Sequence, residues 1–169
     1  MAEHEFFGDA ETRFLQELSR HDVAFMIVGL SAAALQGAPV VTQDVDLWFR
    51  ELPNPGLEEV LRELHGVYVP PTMATPPMIG GEGIELFDLV TRMDGLESFD
   101  DELSRTVPLR LGRFVVRILS LERIIASKRE ANREKDRLVL RVLEDALATI
   151  RAREEGSDEG NDGEKDHPG

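Results

Sequence analysis

Two aspartates one residue apart, Asp44 and Asp46, lie in the segment QDVDLWF at residues 43–49, where Asp44, Asp46 and Trp48 alternate with Val45, Leu47 and Phe49. A period of two predicts a strand with two distinct faces. Residues two apart on a strand point the same way, with Cβ atoms ~6.6 Å apart for a rise of ~3.3 Å per residue. Two carboxylates at that spacing can converge on Mg²⁺ or Mn²⁺, hard cations that take oxygen ligands and bind phosphates alongside one or two acids. An ion so held neutralises a polyphosphate and helps activate an attacking hydroxyl. An acid in the apolar run VDLWF is costly unless a metal, a donor or water satisfies it. An exposed edge strand is the alternative that spacing leaves open.

Further residues could complete such a site. At Gly29-Leu30-Ser31 a glycine ends one apolar segment and a hydroxyl follows at a helix start, which offers backbone N–H groups to an anion; tight turning and a serine N-cap account for the same residues. Asp88 interrupts the apolar run Leu86-Phe87-Asp88-Leu89-Val90 and is a candidate third carboxylate, with Glu85 as its rival. A third acid can act as general base or complete a metal site. The only dense basic cluster is Lys128, Arg129, Arg133, Lys135, Arg137 and Arg141. Arg129, Arg133 and Lys135 read equally as solvated charges on a helix. The four histidines are scattered without metal-ligand spacing, and Trp48 and Phe49 fit packing, with base stacking by Trp48 as the other use.

The elements that must position these residues follow from periodicity and punctuation. Residues 9–20 form an amphipathic helix with Asp9 as candidate N-cap and an apolar stripe of Phe14, Leu15 and Leu18. Residues 23–28 make a core strand, 30–35 an Ala-rich helix closed by Gly37 and Pro39, and 57–64 a helix after Pro53, Pro55 and Gly56. Residues 69–83, with four prolines and three glycines, are expected to be a loop that could border a substrate. A strand follows at 85–90, a short helix at 99–103, a hairpin at 107–111 and 114–119 turning at Gly112, a helix from Ser120 to Glu130, and a last helix at 134–151. The order predicts an α/β (α+β) fold: a small mixed β-sheet flanked by helices, with C-terminal helices. One domain is expected over 1–152, followed by an acidic disordered tail over 153–169.

The chain of 169 residues has a net charge of −14 and no cysteine. Disulfides, thiolate metal sites and cysteine nucleophiles are excluded, and a cytoplasmic setting is expected. No apolar run is long enough for a membrane span, so no membrane partner is expected. Acidity on both the body and the tail argues against broad attraction to nucleic acid.

Gly29, Ser31, the short helix to Gly37 and then Thr42-Gln43-Asp44-Val45-Asp46-Leu47 resemble the signature of the DNA polymerase beta-like nucleotidyltransferase superfamily. The small prokaryotic branch, with minimal nucleotidyltransferases and abortive-infection-type toxins, is most similar. IIASKREANREKD at residues 124–136 resembles that family's helical stretch, in which a lysine precedes an Arg-x-Lys-Asp element. The resemblance spans about residues 23–147. It implies Asp44, Asp46 and Asp88 as catalytic metal ligands, Gly29, Ser31, Thr42 and Lys128 as nucleotide-binding residues, and Asp136, Arg133 and Lys135 in support. Asp136 could orient Lys128, but residues eight apart lie over two turns apart in one unbroken helix, so contact requires a break near Asn132. Leu30 stands where many relatives have a second glycine, and Val40 where relatives often have an arginine two residues before the threonine. The implied activity is Mg²⁺- or Mn²⁺-dependent transfer of a nucleoside monophosphate from an NTP to an acceptor hydroxyl on RNA, protein or a small molecule, releasing pyrophosphate. The alternative is a non-catalytic antitoxin-like interaction protein that keeps the fold and binds a cognate toxin.

Overall fold

The computed structural model describes residues 6–158. In chain order it has α1 (Asp9–Arg20), β1 (Phe25–Val28), α2 (Gly29–Leu35), β2 (Val45–Phe49), α3 (Pro55–Glu63), β3 (Val67–Val69), β4 (Met78–Gly80), β5 (Phe87–Val90), α4 (Phe99–Leu103), β6 (Thr106–Leu111), β7 (Phe114–Leu119), α5 (Leu121–Ala131) and α6 (Glu134–Asp158). The main sheet has five strands in the order β5-β2-β1-β7-β6. β2 runs antiparallel to β1 and parallel to β5, while β1 runs parallel to β7. β6 and β7 form the expected hairpin, with Gly112 at a φ of 61° in its turn. This is the mixed sheet with flanking and C-terminal helices that the element order predicts.

The alternation in β2 separates two environments. Val45, Leu47 and Phe49 face α1, whose Phe14 ring lies 5.0 Å from Phe87 of β5; Phe87 is in register with Val45. α1 buries Phe14, Leu15 and Leu18, the predicted stripe. Each such burial contributes ~1.5–3 kcal/mol relative to exposure. On the opposite side Trp48 meets the edge of Phe99 from α4 at 5.6 Å, and Asp46, two residues earlier, faces the same way. One half of that face is therefore closed by aromatic packing, while the other carries the acid.

α5 and α6 are separated by the break required for contact between positions 128 and 136. Asn132 caps α5 in the left-handed conformation, φ 46° and ψ 31°, which asparagine tolerates better than most residues. The chain then turns, and α6 packs back on α5 through the fully buried Leu143.

Three local expectations are corrected. Gly8, not Asp9, is the N-cap of α1, and no side chain caps that helix; Asp9 instead places its charge in the first turn, where the helix dipole favours it. The segment 69–83 is not wholly loop, because Val67–Val69 pairs antiparallel with Met78–Gly80. Three-residue strands are too short to show a period, and the prolines fall outside them. α6 continues past residue 152 to Asp158, and the rest of the acidic tail lies outside the described residues. Among the described residues no helix is long and apolar enough to cross a membrane.

Candidate active site

Register brings the acids together. Asp46, the second residue of β2, is paired with Val28 at the end of β1 on one side and with Asp88 of β5 on the other. Paired residues on adjacent strands project to the same face, so Asp88 stands beside Asp46. Its rival Glu85 lies exposed in the turn before β5. Asp44 sits one residue ahead of β2 rather than on it, in a turn fixed by Thr42: the hydroxyl donates to the Asp44 carbonyl at 3.1 Å and accepts the Asp44 N–H at 3.4 Å. Asp44, Asp46 and Asp88 all line one cavity of about 510 Å³, together with Gly29, Thr42, Lys128, Arg133, Lys135 and Asp136.

Among the described residues, no hydrogen bond or ion pair holds any of the three carboxylates. Burial, and then the charge of Asp88, pushes the Asp46 carboxyl above the usual carboxylate range against the opposing pull of Lys128 and Lys135. Desolvation and Asp44 push Asp88 up in the same direction. Neighbouring like charges of this kind disfavour the ionised form. Their oxygens do not all lie within 4.8 Å of one another. The donor set, three hard carboxylate oxygens beside cations, fits a divalent ion of the magnesium type.

Gly29 is favoured by its backbone, and a side chain there would disturb the acid. Its φ is +68°, a conformation that costs other residues strain, and a Cβ there would run into Oδ2 of Asp46. Backbone at the start of α2 can therefore approach the acid closely. Leu30 lines the cavity beside it. Ser31 does not: it is buried, and its hydroxyl donates to the Val28 carbonyl at 3.0 Å. Because α2 begins at Gly29, Ser31 is its third residue and its side chain folds back on the preceding strand. The structure thus fails to bring this one residue of the implied nucleotide-binding set to the site.

The cations come from the two C-terminal helices. Asp136 is fully buried, receives Lys128 Nζ at 3.2 Å and Arg133 Nε at 2.6 Å, and accepts the Arg133 backbone N–H at 3.2 Å. Burial alone would raise its carboxyl, but the hydrogen bonds from Arg133 and Lys128 outweigh that and hold it below the usual range. Asp136 thus fixes Lys128 at the cavity wall. Lys135 is exposed and, among the described residues, has no carboxylate within ion-pair distance.

Arg92, Met93 and Asp94, in the segment after β5, also line the cavity and are absent from the sequence reading. They belong to no motif and no periodic element, so only the path of the chain after β5 could reveal them. The 69–83 segment, expected to border a substrate, does not line this cavity. A separate trio, Glu17, His21 and Glu63, has potential ligand atoms within 4.8 Å of one another. The Arg20 guanidinium already contacts all three at 2.7–2.9 Å, so that cluster is satisfied by a protein cation.

No protein-family model and no curated protein matches the sequence. The fold is nucleotidyltransferase-like. It is similar to the solution structure of the antibiotic-resistance factor ANT(2'')-Ia, with 17% identity, 95% of this chain and 98% of that chain covered, and a TM-score of 0.55. It is also similar to the crystal structure of ANT(2'')-Ia in complex with adenylyl-2''-tobramycin, with 20% identity, coverage of 83% and 94%, and a TM-score of 0.52. At these identities the likeness establishes the architecture.

Proposed function

We propose that the protein is a metal-dependent nucleotidyltransferase that moves a nucleoside monophosphate from an NTP to an acceptor hydroxyl. The observation that carries this reading is the set of three unpartnered aspartates, Asp44, Asp46 and Asp88, lining one cavity with Lys128 and Lys135. A divalent ion held by those aspartates supplies charge neutralisation at the triphosphate. Gly29 lets backbone close on the phosphates, while Lys128, oriented by Asp136, and Lys135 and Arg133 offset their charge. The acceptor oxygen attacks the α-phosphorus, and the bond from that phosphorus to the bridging oxygen breaks. Pyrophosphate leaves with the electron pair. The acceptor proton passes to a carboxylate, for which Asp88, exposed at the cavity beside Asp46, is suited. Positioning and charge compensation of this kind are most of what phosphoryl chemistry demands of a protein.

The acceptor is proposed to be a small molecule or a protein rather than RNA, since a net charge of −14 repels a polyanion. The structure of ANT(2'')-Ia with adenylyl-2''-tobramycin supports a small-molecule acceptor by analogy of fold. A cytoplasmic setting and membership of the small prokaryotic, toxin-type branch complete the proposal. Two observations favour the second reading, a non-catalytic antitoxin-like protein that binds a cognate toxin. The Ser31 hydroxyl is turned away from the cavity, and Val40 supplies no cation.

Incubation with each α-labelled NTP, Mg²⁺ or Mn²⁺ and cell extract separates these readings. Wild type should transfer label to an acceptor, and the Asp44→Ala, Asp46→Ala double variant should not. Equal labelling by both, or none by wild type across all four nucleotides, would end the catalytic assignment.

A further inference from the structure

We infer that Arg92 is the guanidinium that grips the terminal phosphates of the nucleotide and holds the departing pyrophosphate, an inference that rests on the nucleotidyltransferase reading above. The cavity is lined by four cations, Arg92, Lys128, Arg133 and Lys135. Lys128 and Arg133 are both committed to the buried Asp136. Arg92 and Lys135 have no carboxylate within ion-pair distance among the described residues, although Asp94 lies only two residues from Arg92. Unpaired cations in a pocket lined by five aspartates mark where a further anion belongs.

Lys128 and Lys135 both pull on the Asp46 carboxyl, which places them over that acid. Arg92 follows Asp88 by four residues, at most ~14 Å of extended chain, and it also lines an adjoining cavity of about 470 Å³ with Gly95, Leu96 and Glu130. It therefore stands, exposed, where the two cavities meet beyond the end of β5. A triphosphate whose reacting phosphorus lies at the three acids extends its terminal phosphates outward. When the bond to the α-phosphorus breaks, the electron pair stays with pyrophosphate, and a planar guanidinium can take two of its oxygens at once. Lys128 and Arg133 are offset in part by Asp136, so Arg92 and Lys135 are the lining cations left to meet a polyphosphate.

The test is equilibrium binding of Mg·NTP, Mg·NMP and Mg·pyrophosphate by calorimetry to wild type, Arg92→Gln and Arg92→Lys. Arg92 is exposed and unpaired, so both variants should melt with wild type. Arg92→Gln should lose roughly 10- to 100-fold in affinity for the triphosphate and pyrophosphate, the size expected for a charged hydrogen-bonded contact, with NMP affinity unchanged. Arg92→Lys should recover part of the loss. Triphosphate affinity equal to wild type in Arg92→Gln overturns the inference and leaves the wider assignment standing. An equal loss for NMP and NTP also overturns it, since the residue would then not discriminate the terminal phosphates. Wild type that binds no magnesium nucleotide overturns both.

Discussion

Asp46→Asn should stabilise the metal-free protein while destroying its response to magnesium nucleotide. Asp46 and Asp88 are register partners on adjacent parallel strands, which lie ~4.8 Å apart. Two unit charges at that distance repel by ~1 kcal/mol in water and by ~3 kcal/mol at the effective dielectric of ~20 typical near a protein surface. Asp88 is exposed, so the lower figure applies, and amide replacement should raise the melting temperature by ~2–4 °C for a chain of this size. Magnesium nucleotide at ~100 times its dissociation constant should add ~2.7 kcal/mol to wild type and nothing comparable to the variant. The assay is thermal melting in EDTA and in saturating Mg·NTP. Linkage gives a second check. Because the folded pKa of Asp46 is raised, its contribution to stability is fully present below the unfolded carboxylate range and is lost as pH rises through the raised value. The advantage of Asp46→Asn in EDTA should therefore shrink as pH falls through that value. A variant that melts several degrees below wild type in EDTA would show that Asp46 is a satisfied structural acid, and the reasoning would be refuted.

Gly29→Ala should destabilise by ~1–2 kcal/mol through its left-handed φ alone; the new methyl also displaces the Asp46 carboxylate, so melts should show both a lower midpoint and no gain from Mg·NTP. Glu102 is fully buried and receives Arg123 Nη2 at 2.6 Å and Nε at 2.8 Å. Glu102→Ala should cost ~2–3 kcal/mol in chemical denaturation, below the ~3–5 kcal/mol of a sealed pair, because Arg123 and Arg105 keep access to water. Burial opposes ionisation of Glu102, but the bonds from Arg123 and the Glu97 N–H hold its carboxyl below the usual range. Its stabilisation should thus be present above the ordinary carboxylate pKa and disappear as pH falls through the lowered value; an acid-side profile identical to that of Glu102→Ala would count against this. Residues 1–152 are proposed as the folded unit, with α6 reaching into the tail, so deletion of 159–169 should leave the midpoint unchanged. A drop of several degrees would show that the tail docks.

Much of the architecture and part of the site are legible in one dimension because they depend on local periodicity. The D-x-D announces two acids and the acid within VDLWF announces a cost to be met, but only Asp46 takes its direction from the strand period; Asp44 lies ahead of β2 and reaches the cavity through the turn at Thr42. The asparagine between two helical patterns allows the break that Lys128 and Asp136 need. Local rules also mislead at short range: the three-residue strands β3 and β4 have no period to read, and a serine two residues after a glycine looks like a phosphate ligand until the start of α2 turns its hydroxyl inward. The choice of Asp88 over Glu85 belongs to tertiary structure, because only the register of β5 on β2 says which acid shares a face with Asp46. The clash that disfavours a side chain at position 29, the burial of Asp136 between two cations, and the arrival of Arg92 at the cavity are likewise contacts between distant parts of the chain. Sequence period sets which way a side chain points along its own element; the packing of elements against one another sets what it meets.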